Sequence, residues 1–362
     1  MLNSAIQHMR KIYSIFLLPW GWLYGVIMQV RNSLYDRGIQ KTYAFDTAVI
    51  SVGNLTVGGT GKTPCIEYLV RLLKEQLSIA VLSRGYKRTT QGFRVGNSYD
   101  TVLTIGDEPF QLYSKFASSG RVRIAVAEDR VQGISKLLDI APGTQAILLD
   151  DGFQHRSVKP RLNILLTDFH WPFFADYILP TGRLREPRQS AHRADVVVVT
   201  KCPDSIPKAT QQYFQHHIRK YCRNQPPLPI FFTRICYGSP IRVGGKRTNF
   251  FAEYVLLVTG IADPAPLVRY VAQHYRLIQH MAFKDHHAFT PQDIQKILSV
   301  FDCMEYKKKC LLTTEKDSVR LLHTSLQSML QHIPVFYLPI AMKFVEGEEV
   351  FNQLIFDIIQ QY

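Results

Sequence analysis

The chain has 362 residues, 46% of them hydrophobic and 20% charged, a balance that describes an ordinary globular protein and excludes a disordered one. That length sits at the upper limit for one compact core, so two lobes are expected. Lys and Arg number 43 against 29 Asp and Glu, a net charge of +14, which suits polyanionic partners such as nucleic acid, an acidic membrane or phosphorylated ligands. The six cysteines lie scattered, with no C-x-x-C pair and no Cys/His zinc spacing, so reduced thiols in a cytosolic compartment are the simple reading.

From the amino end, Lys11 and Arg31 bracket 19 residues without charge, IYSIFLLPWGWLYGVIMQV. As a helix rising about 1.5 Å per residue this reaches roughly 28 Å, barely a bilayer core. Pro19, Gly21 and Gly25 interrupt it, and Trp20, Trp22 and Tyr24 occupy its middle, where aromatic residues favour the membrane–water interface. No small-x-small site follows, which argues against a cleaved signal peptide. Three placements stay open: a helix lying in the membrane surface, which is the expected one, a span, or a core helix. Arg10, Lys11, Arg31 and Arg37 suit an anionic cytoplasmic leaflet.

From Phe45 the apolar runs TAVISVG, IAVLSR, VRIAVA, QAILLDD, LNILLTD and ADVVVVTK read as strands buried on both faces, hence an α/β fold with a parallel sheet covered by helices. The first of them ends in NLTVGGTGKTP, Asn54–Pro64, and KTPCIEYLVRLLKEQL follows at helical spacing. Strand, glycine loop and helix in that order are what a phosphate-binding loop requires. Thr56 holds the place of the usual first Gly, but Gly58, Gly59 and Gly61 keep the tight path. The N–H groups of Thr56, Val57, Gly58, Gly59, Thr60, Gly61, Lys62 and Thr63 form the candidate nucleotide cradle, with Lys62 on the phosphates and the Thr63 hydroxyl on Mg²⁺.

Further on, QAILLDDGFQHR places Asp150 and Asp151 at a strand end, where a carboxylate would hold Mg²⁺ or its water; strand alternation points the two in opposite directions. TIGDEPFQL puts Asp107 and Glu108 before a proline, locally an ordinary helix start. LPTGRLREPR gathers Arg183, Arg185, Glu186 and Arg188 in a loop suited to an anionic substrate or merely to solvent, and SRGYKR, with Arg84, carries the same ambiguity. After a Pro/Gly-rich stretch a second α/β rhythm begins, and FKDHHAFT sets Asp285, His286 and His287 in one loop. VVVVTKCPD and LLTTEKD are weak candidates for reading a base. The expected ranges are a membrane-associating helix at 1–40, a phosphate-loop domain at 41–228, a pair of linker strands at 229–250 and a smaller α/β domain at 251–362.

Together, SVGNLTVGGTGKTP, SRGY, GDEP, LDDGFQHR, LPTGRLREP, VVVVTK, TGIADP, DHH and TTEKD, in this order from Ser51 to Asp317, resemble the tetraacyldisaccharide 4′-kinase family of lipid A biosynthesis. The family shares the Thr-for-Gly loop. The resemblance implies ATP as co-substrate with Mg²⁺, and γ-phosphate transfer to the 4′-hydroxyl of a tetraacylated glucosamine disaccharide 1-phosphate at the cytoplasmic face of the bacterial inner membrane, by a monomer that binds no nucleic acid. It implies Asp107 and His286 as a catalytic dyad, assisted by Lys62; it places Thr63, Asp150, Asp151 and Glu186 toward the metal, and Arg84, Arg183 and Arg185 toward the substrate. It also implies two lobes, so Asp107 and His286 would come together if closure joined them. Two departures stand out: DFHWPFFADYILPTGRLREP is rich in aromatics ahead of the arginines, and GIADP has Ala-Asp where Gly-Asn is common. The rival readings are a phosphate-loop NTPase acting on a partner at the membrane, and a non-catalytic membrane-bound lipid- or nucleic-acid-binding protein.

Overall fold

A computed structural model describes residues 2–222, 227–244, 250–321 and 324–360. The chain opens with α1 (Leu2–Asp36), β1 (Ala48–Asn54), α2 (Lys62–Leu73) and β2 (Ile79–Ser83), followed by β3 (Arg94–Val95), α3 (Val102–Ile105) and α4 (Asp107–Phe116). Then come β4 (Val122–Val126), α5 (Arg130–Ile140), β5 (Ala146–Asp150), β6 (Leu162–Asp168), β7 (Val196–Thr200), α6 (Lys208–Arg219), β8 (Ile230–Tyr237) and β9 (Ile241–Arg242). β10 (Tyr254–Thr259), α7 (Ala265–His274), β11 (Arg276–Ala282), α8 (Pro291–Asp302), β12 (Lys309–Thr314), α9 (Glu315–Leu321), α10 (Thr324–Leu330), β13 (Val335–Leu338), β14 (Ile340–Phe344) and α11 (Glu348–Gln360) complete it.

The described residues form two compact units, and neither is contiguous in sequence. One comprises Met1–Arg84, Ser119–Ile235 and Met342–Tyr362; the other comprises Gly85–Ser118 and Cys236–Ala341. The expected ranges ran straight through, and two segments differ from them for packing reasons. α4 packs on α9, where Lys115 Nζ reaches Glu315 Oε1 at 2.5 Å, so 85–118 joins the second unit. The C-terminal segment returns to the first, where Tyr68 packs edge-on against Phe344 and its hydroxyl donates to Asn352 Oδ1 at 2.7 Å.

In the first unit β4, β2, β5, β1, β6, β7 and β8 lie side by side in that order, and all these pairings are parallel. Every residue of β1, β2, β5 and β7 is buried, which is why these strands read as unbroken apolar runs. From β1 the chain winds out to β2 and β4, returns to β5, and then crosses to β6 and β7 on the other side of β1. The carboxyl end of β1 is therefore the switch point of the sheet, where α/β folds place ligands. The second unit has strand order β11-β10-β12-β13-β9, parallel except for β9, which runs antiparallel to β13.

The strand pair expected over 229–250 does not form. β8 pairs with β7, and β9 pairs with β13, so each strand extends a larger sheet where its backbone groups find partners; 245–249 lies outside the described residues. α1 continues through Pro19, and no described helix is long and apolar enough to cross a membrane. Nor is α1 a core helix, because Leu18, Trp20, Trp22, Leu23, Ile27 and Val30 are exposed. Its other side is fastened to the first unit: Tyr24 donates to Arg185 O at 3.0 Å and Thr181 Oγ1 donates to Leu17 O at 3.1 Å.

Candidate active site

The phosphate-type loop leaves β1 at Asn54 and enters α2 at Lys62. Gly58 and Gly61 have φ of 101° and 83°, values that a side chain would strain. Thr56 has no such requirement, since it is absent from the positive-φ residues and bridges Leu184 in antiparallel fashion. The flanking bonds, Val57 N–H to Arg183 O at 2.8 Å and Arg185 N–H to Leu55 O at 2.7 Å, stitch the loop to the arginine segment. A β-bridge needs extended backbone, which explains physically why Thr replaces Gly here. Thr200 Oγ1 donates to Thr60 O at 2.9 Å and props the loop from β7.

Lys62 Nζ donates to Asn54 Oδ1 at 3.2 Å and lies 3.4 Å from Asp151 Oδ1. Asp151 Oδ2 in turn accepts from Arg185 at 2.8 Å. Burial pushes the Asp151 carboxyl up, but Lys62 and Arg185 together hold it below its ordinary value. It adopts φ 53°, an unusual conformation for a non-glycine residue and of the kind that collects at functional sites. Asp150 points elsewhere, accepting from Ser83 Oγ at 3.1 Å. The two neighbouring acids thus serve different surroundings, because β5 ends at Asp150 and the left-handed backbone of Asp151 turns its side chain another way.

Glu186 is placed differently from the metal role expected of it. Fully buried, its carboxylate accepts from Arg193 at 2.6 Å and from Asn32 of α1 at 3.2 Å, and Arg31 stands at 4.0 Å. Cationic and amide donors around this buried acid make it an anchor of α1. Arg193→Met should therefore strand this carboxylate and lower stability by about 3–5 kcal/mol. Urea unfolding of the two proteins measures it, and an unchanged midpoint would contradict the anchoring role.

A second cluster forms within the other unit. Gly106, at φ 91°, caps α4; a Cβ there would sit 3.1 Å from Tyr86 O, so the tight approach that starts α4 at Asp107 requires glycine. Asp107 is buried, and its Oδ2 meets His286 Nδ1 at 2.9 Å and the Arg320 guanidinium in a short contact. Arg320 is itself held by Asp317 Oδ1 at 2.8 Å and Gly260 O at 3.1 Å. Lys316 Nζ lies 2.7 Å from Glu108 Oε1, 3.2 Å from His286 Nε2 and 3.8 Å from Asp107 Oδ2. His286 thus stands between the two, its Nε2 toward the Lys316 ammonium and its Nδ1 toward the Asp107 carboxylate, with Arg320 Nη2 3.3 Å from Nδ1. Burial raises the Asp107 pKa, but His286, Lys316 and Arg320 outweigh it and hold the group well below the carboxylate range. Burial would lower the Lys316 pKa, yet Glu108 and Asp107 keep it raised.

Asp107 and His286, 179 residues apart in sequence, thus lie in one unit, and no closure between lobes is needed to join them. Sequence reading had missed three side chains. Arg320 stands three residues after Asp317 on α9, the one available cue. Lys316 lies inside LLTTEKD, a pattern that suggests base reading and gives no sign of this cluster. Arg130 is buried and donates to Ala127 O, with a charge felt at His155 beside that of Arg84. A cation at the first turn of α5 opposes the helix dipole, which was a usable signal. Burial first, then Arg130 and Arg84, push the His155 pKa down to about 4, so this imidazole is neutral at physiological pH. Arg84 is exposed, while Arg183 pairs with Asp176 at 3.3 Å.

Removing the Arg320 charge has a signed consequence. The Asp107 pKa is depressed in the folded protein, so an activity that needs its carboxylate survives to low pH. Arg320→Met should move the acidic limb of kcat/KM to higher pH, with Arg320→Lys partly restoring it. A pH profile of the three proteins decides this, and coincident acidic limbs would contradict the clamp.

Residues 13–360 match the family model described as Tetraacyldisaccharide-1-P 4'-kinase. The chain is 43% identical over 356 residues to the tetraacyldisaccharide 4′-kinase of Phocaeicola vulgatus, covering 96% of this chain and 95% of that one. It is 39% identical to that of Bacteroides thetaiotaomicron, covering 98% and 95%. Among solved structures, the "apo" form of LpxK from Aquifex aeolicus in complex with ATP aligns with a TM-score of 0.72 and 30% identity, covering 96% of this chain and 99% of that one. A match over almost the whole length, running through both clusters, places the chain in the tetraacyldisaccharide-1-P 4′-kinase family.

Proposed function

We propose that the two clusters divide the work of a single phosphoryl transfer. The chain is an ATP-dependent tetraacyldisaccharide 4′-kinase, moving the γ-phosphate of ATP to the 4′-hydroxyl of the acylated disaccharide 1-phosphate. The observation that carries this reading is Lys62 at the switch point of the sheet, held between Asn54 and Asp151 at the mouth of a glycine loop. The Aquifex relative, solved in complex with ATP, supports ATP as the nucleotide.

The N–H groups of Val57–Thr63 and the amino end of α2 cradle the triphosphate. Lys62 and Arg185, which neutralise Asp151 when no phosphate is present, turn their charge to the phosphate oxygens. Thr63, Asp150 and Asp151 offer the hard oxygen donors that Mg²⁺ prefers. When bound, Mg²⁺ would neutralise part of the phosphate charge.

Asp107 takes the proton of the 4′-hydroxyl. Its Oδ1 accepts the Glu108 N–H at 3.0 Å and keeps a lone pair for the sugar. His286, with Nδ1 2.9 Å from Oδ2, orients the carboxylate. Arg84 and Arg183 suit the 1-phosphate. The exposed apolar face of α1 keeps the monomer at the cytoplasmic leaflet of the inner membrane, where its substrate is dissolved. Incubating the protein with ATP, Mg²⁺ and the disaccharide 1-phosphate in detergent should yield one product whose new phosphorus couples to H4′ in ³¹P–¹H correlation spectra. Free phosphate without modified lipid would contradict the assignment.

A further inference from the structure

We propose that the loop Phe169–Arg188 is a second membrane-inserting element, seated beside α1 in the interface of an anionic bilayer. This rests on the reading of α1 as a membrane-surface helix and extends it to Trp171 and Tyr177, aromatic residues that the proposed reaction does not use.

The distribution of tryptophan carries the inference. The chain has three, and all are exposed: Trp20 by 64%, Trp22 by 72% and Trp171 by 60%. Tryptophan is among the more buried residue types on average, yet the hydrophobic cores of both units are built without it. Two of the three lie on α1 and the third lies in this loop, and the two elements touch. Thr181 Oγ1 donates to Leu17 O at 3.1 Å. A Cβ placed on Gly25 would stand 3.6 Å from Ile178 Cδ1, and one on Gly21 would run into Thr181 Oγ1 at 2.5 Å, so small residues on α1 let the loop come close. The exposed Leu18, Leu23, Ile27 and Val30 of α1 carry the same apolar character onward along the helix.

The loop is held firmly enough to present its aromatics. Phe173 and Phe174 are buried in the core with Phe214, and the Phe173 N–H donates to Thr167 Oγ1 at 3.0 Å. Trp171 and Tyr177, the latter 61% exposed, stay outside. Over each lies a guanidinium: Arg183 stands 4.5 Å from the Trp171 ring centre and Arg188 5.4 Å from that of Tyr177. An exposed aromatic backed by arginine suits the bilayer interface, because the ring enters the headgroup–acyl boundary while the cation pairs with lipid phosphate. A solvated loop gains nothing from exposing Trp171 and Tyr177, and a protein partner would not account for the loop's seat on α1 through Ile178 and Thr181. The net charge of +14 favours an anionic leaflet.

Trp20→Phe/Trp22→Phe leaves Trp171 as the only tryptophan and makes it the reporter. With vesicles of phosphatidylcholine and phosphatidylglycerol in equal parts, its emission should shift to the blue and be quenched by lipids brominated near the headgroup. In the otherwise native chain, Trp171→Ala/Tyr177→Ala should weaken vesicle partitioning by about tenfold or more, while phosphoryl transfer to detergent-dispersed substrate stays unchanged. Unchanged Trp171 emission on vesicle-bound protein, or undiminished partitioning of the double variant, would overturn the proposal and leave α1 as the sole anchor, with a protein partner then the candidate cover for the loop. Failure of the native chain to sediment with the vesicles would overturn the membrane reading of both elements, without touching the kinase assignment, which the detergent assay tests separately.

Discussion

Asp107→Asn is expected to lower kcat by about 10²–10⁴-fold, the usual contribution of a positioned proton acceptor, while ATP binding stays intact. The substitution keeps the shape of the side chain and removes its charge. Local structure should survive, because the cations around Asp107 have other partners: Arg320 keeps Asp317 and Gly260 O, and Lys316 keeps Glu108. Steady-state kinetics beside nucleotide titration check this. A variant that turns over at the native rate would show that the carboxylate only organises its neighbours. Loss of ATP binding would move Asp107 out of the acceptor role and into the nucleotide site.

The second large effect belongs to Lys62. Lys62→Met should cost on the order of 10²–10³-fold in kcat/KM, comparable with deleting one preorganised donor from a developing charge. Asp151 keeps Arg185 at 2.8 Å in the variant, so the loop should hold its conformation and the loss should reflect missing charge at the phosphates. Intact folding, seen by circular dichroism, with kcat/KM near the native value would mean that the phosphates sit elsewhere than on this loop.

Much of this arrangement is legible in the sequence, for definable reasons. Strands buried on both faces must be apolar throughout, so TAVISVG, QAILLDD and VVVVTK announce a parallel sheet. Tight backbone demands glycine, so Gly58 and Gly61 mark the loop even with Thr56 in the first position. The pair Asp150 and Asp151 reads as two acids at a strand end, but the left-handed turn at Asp151 that separates them is not marked by a glycine. Other features depend on packing that no local pattern encodes. Nothing within 85–118 tells which core α4 covers, so its place with α9, and with it the union of Asp107 and His286 in one unit, had to come from the structure. Glu186 reads as a loop acid beside arginines until Asn32, 154 residues earlier, proves to be its partner. The linker strands misled because a β pattern states that a segment pairs, and leaves open with which strand.

The central claim is that this chain moves a phosphate from ATP to lipid with Asp107 as the acceptor of the sugar proton. Transfer of ³²P from [γ-³²P]ATP to the disaccharide 1-phosphate in detergent, with native protein beside Asp107→Asn at saturating ATP, tests it most directly. The account predicts strong lipid labelling by the native protein and loss of about 10²–10⁴-fold in the variant. Free phosphate with unlabelled lipid, or equal labelling by both proteins, would contradict it.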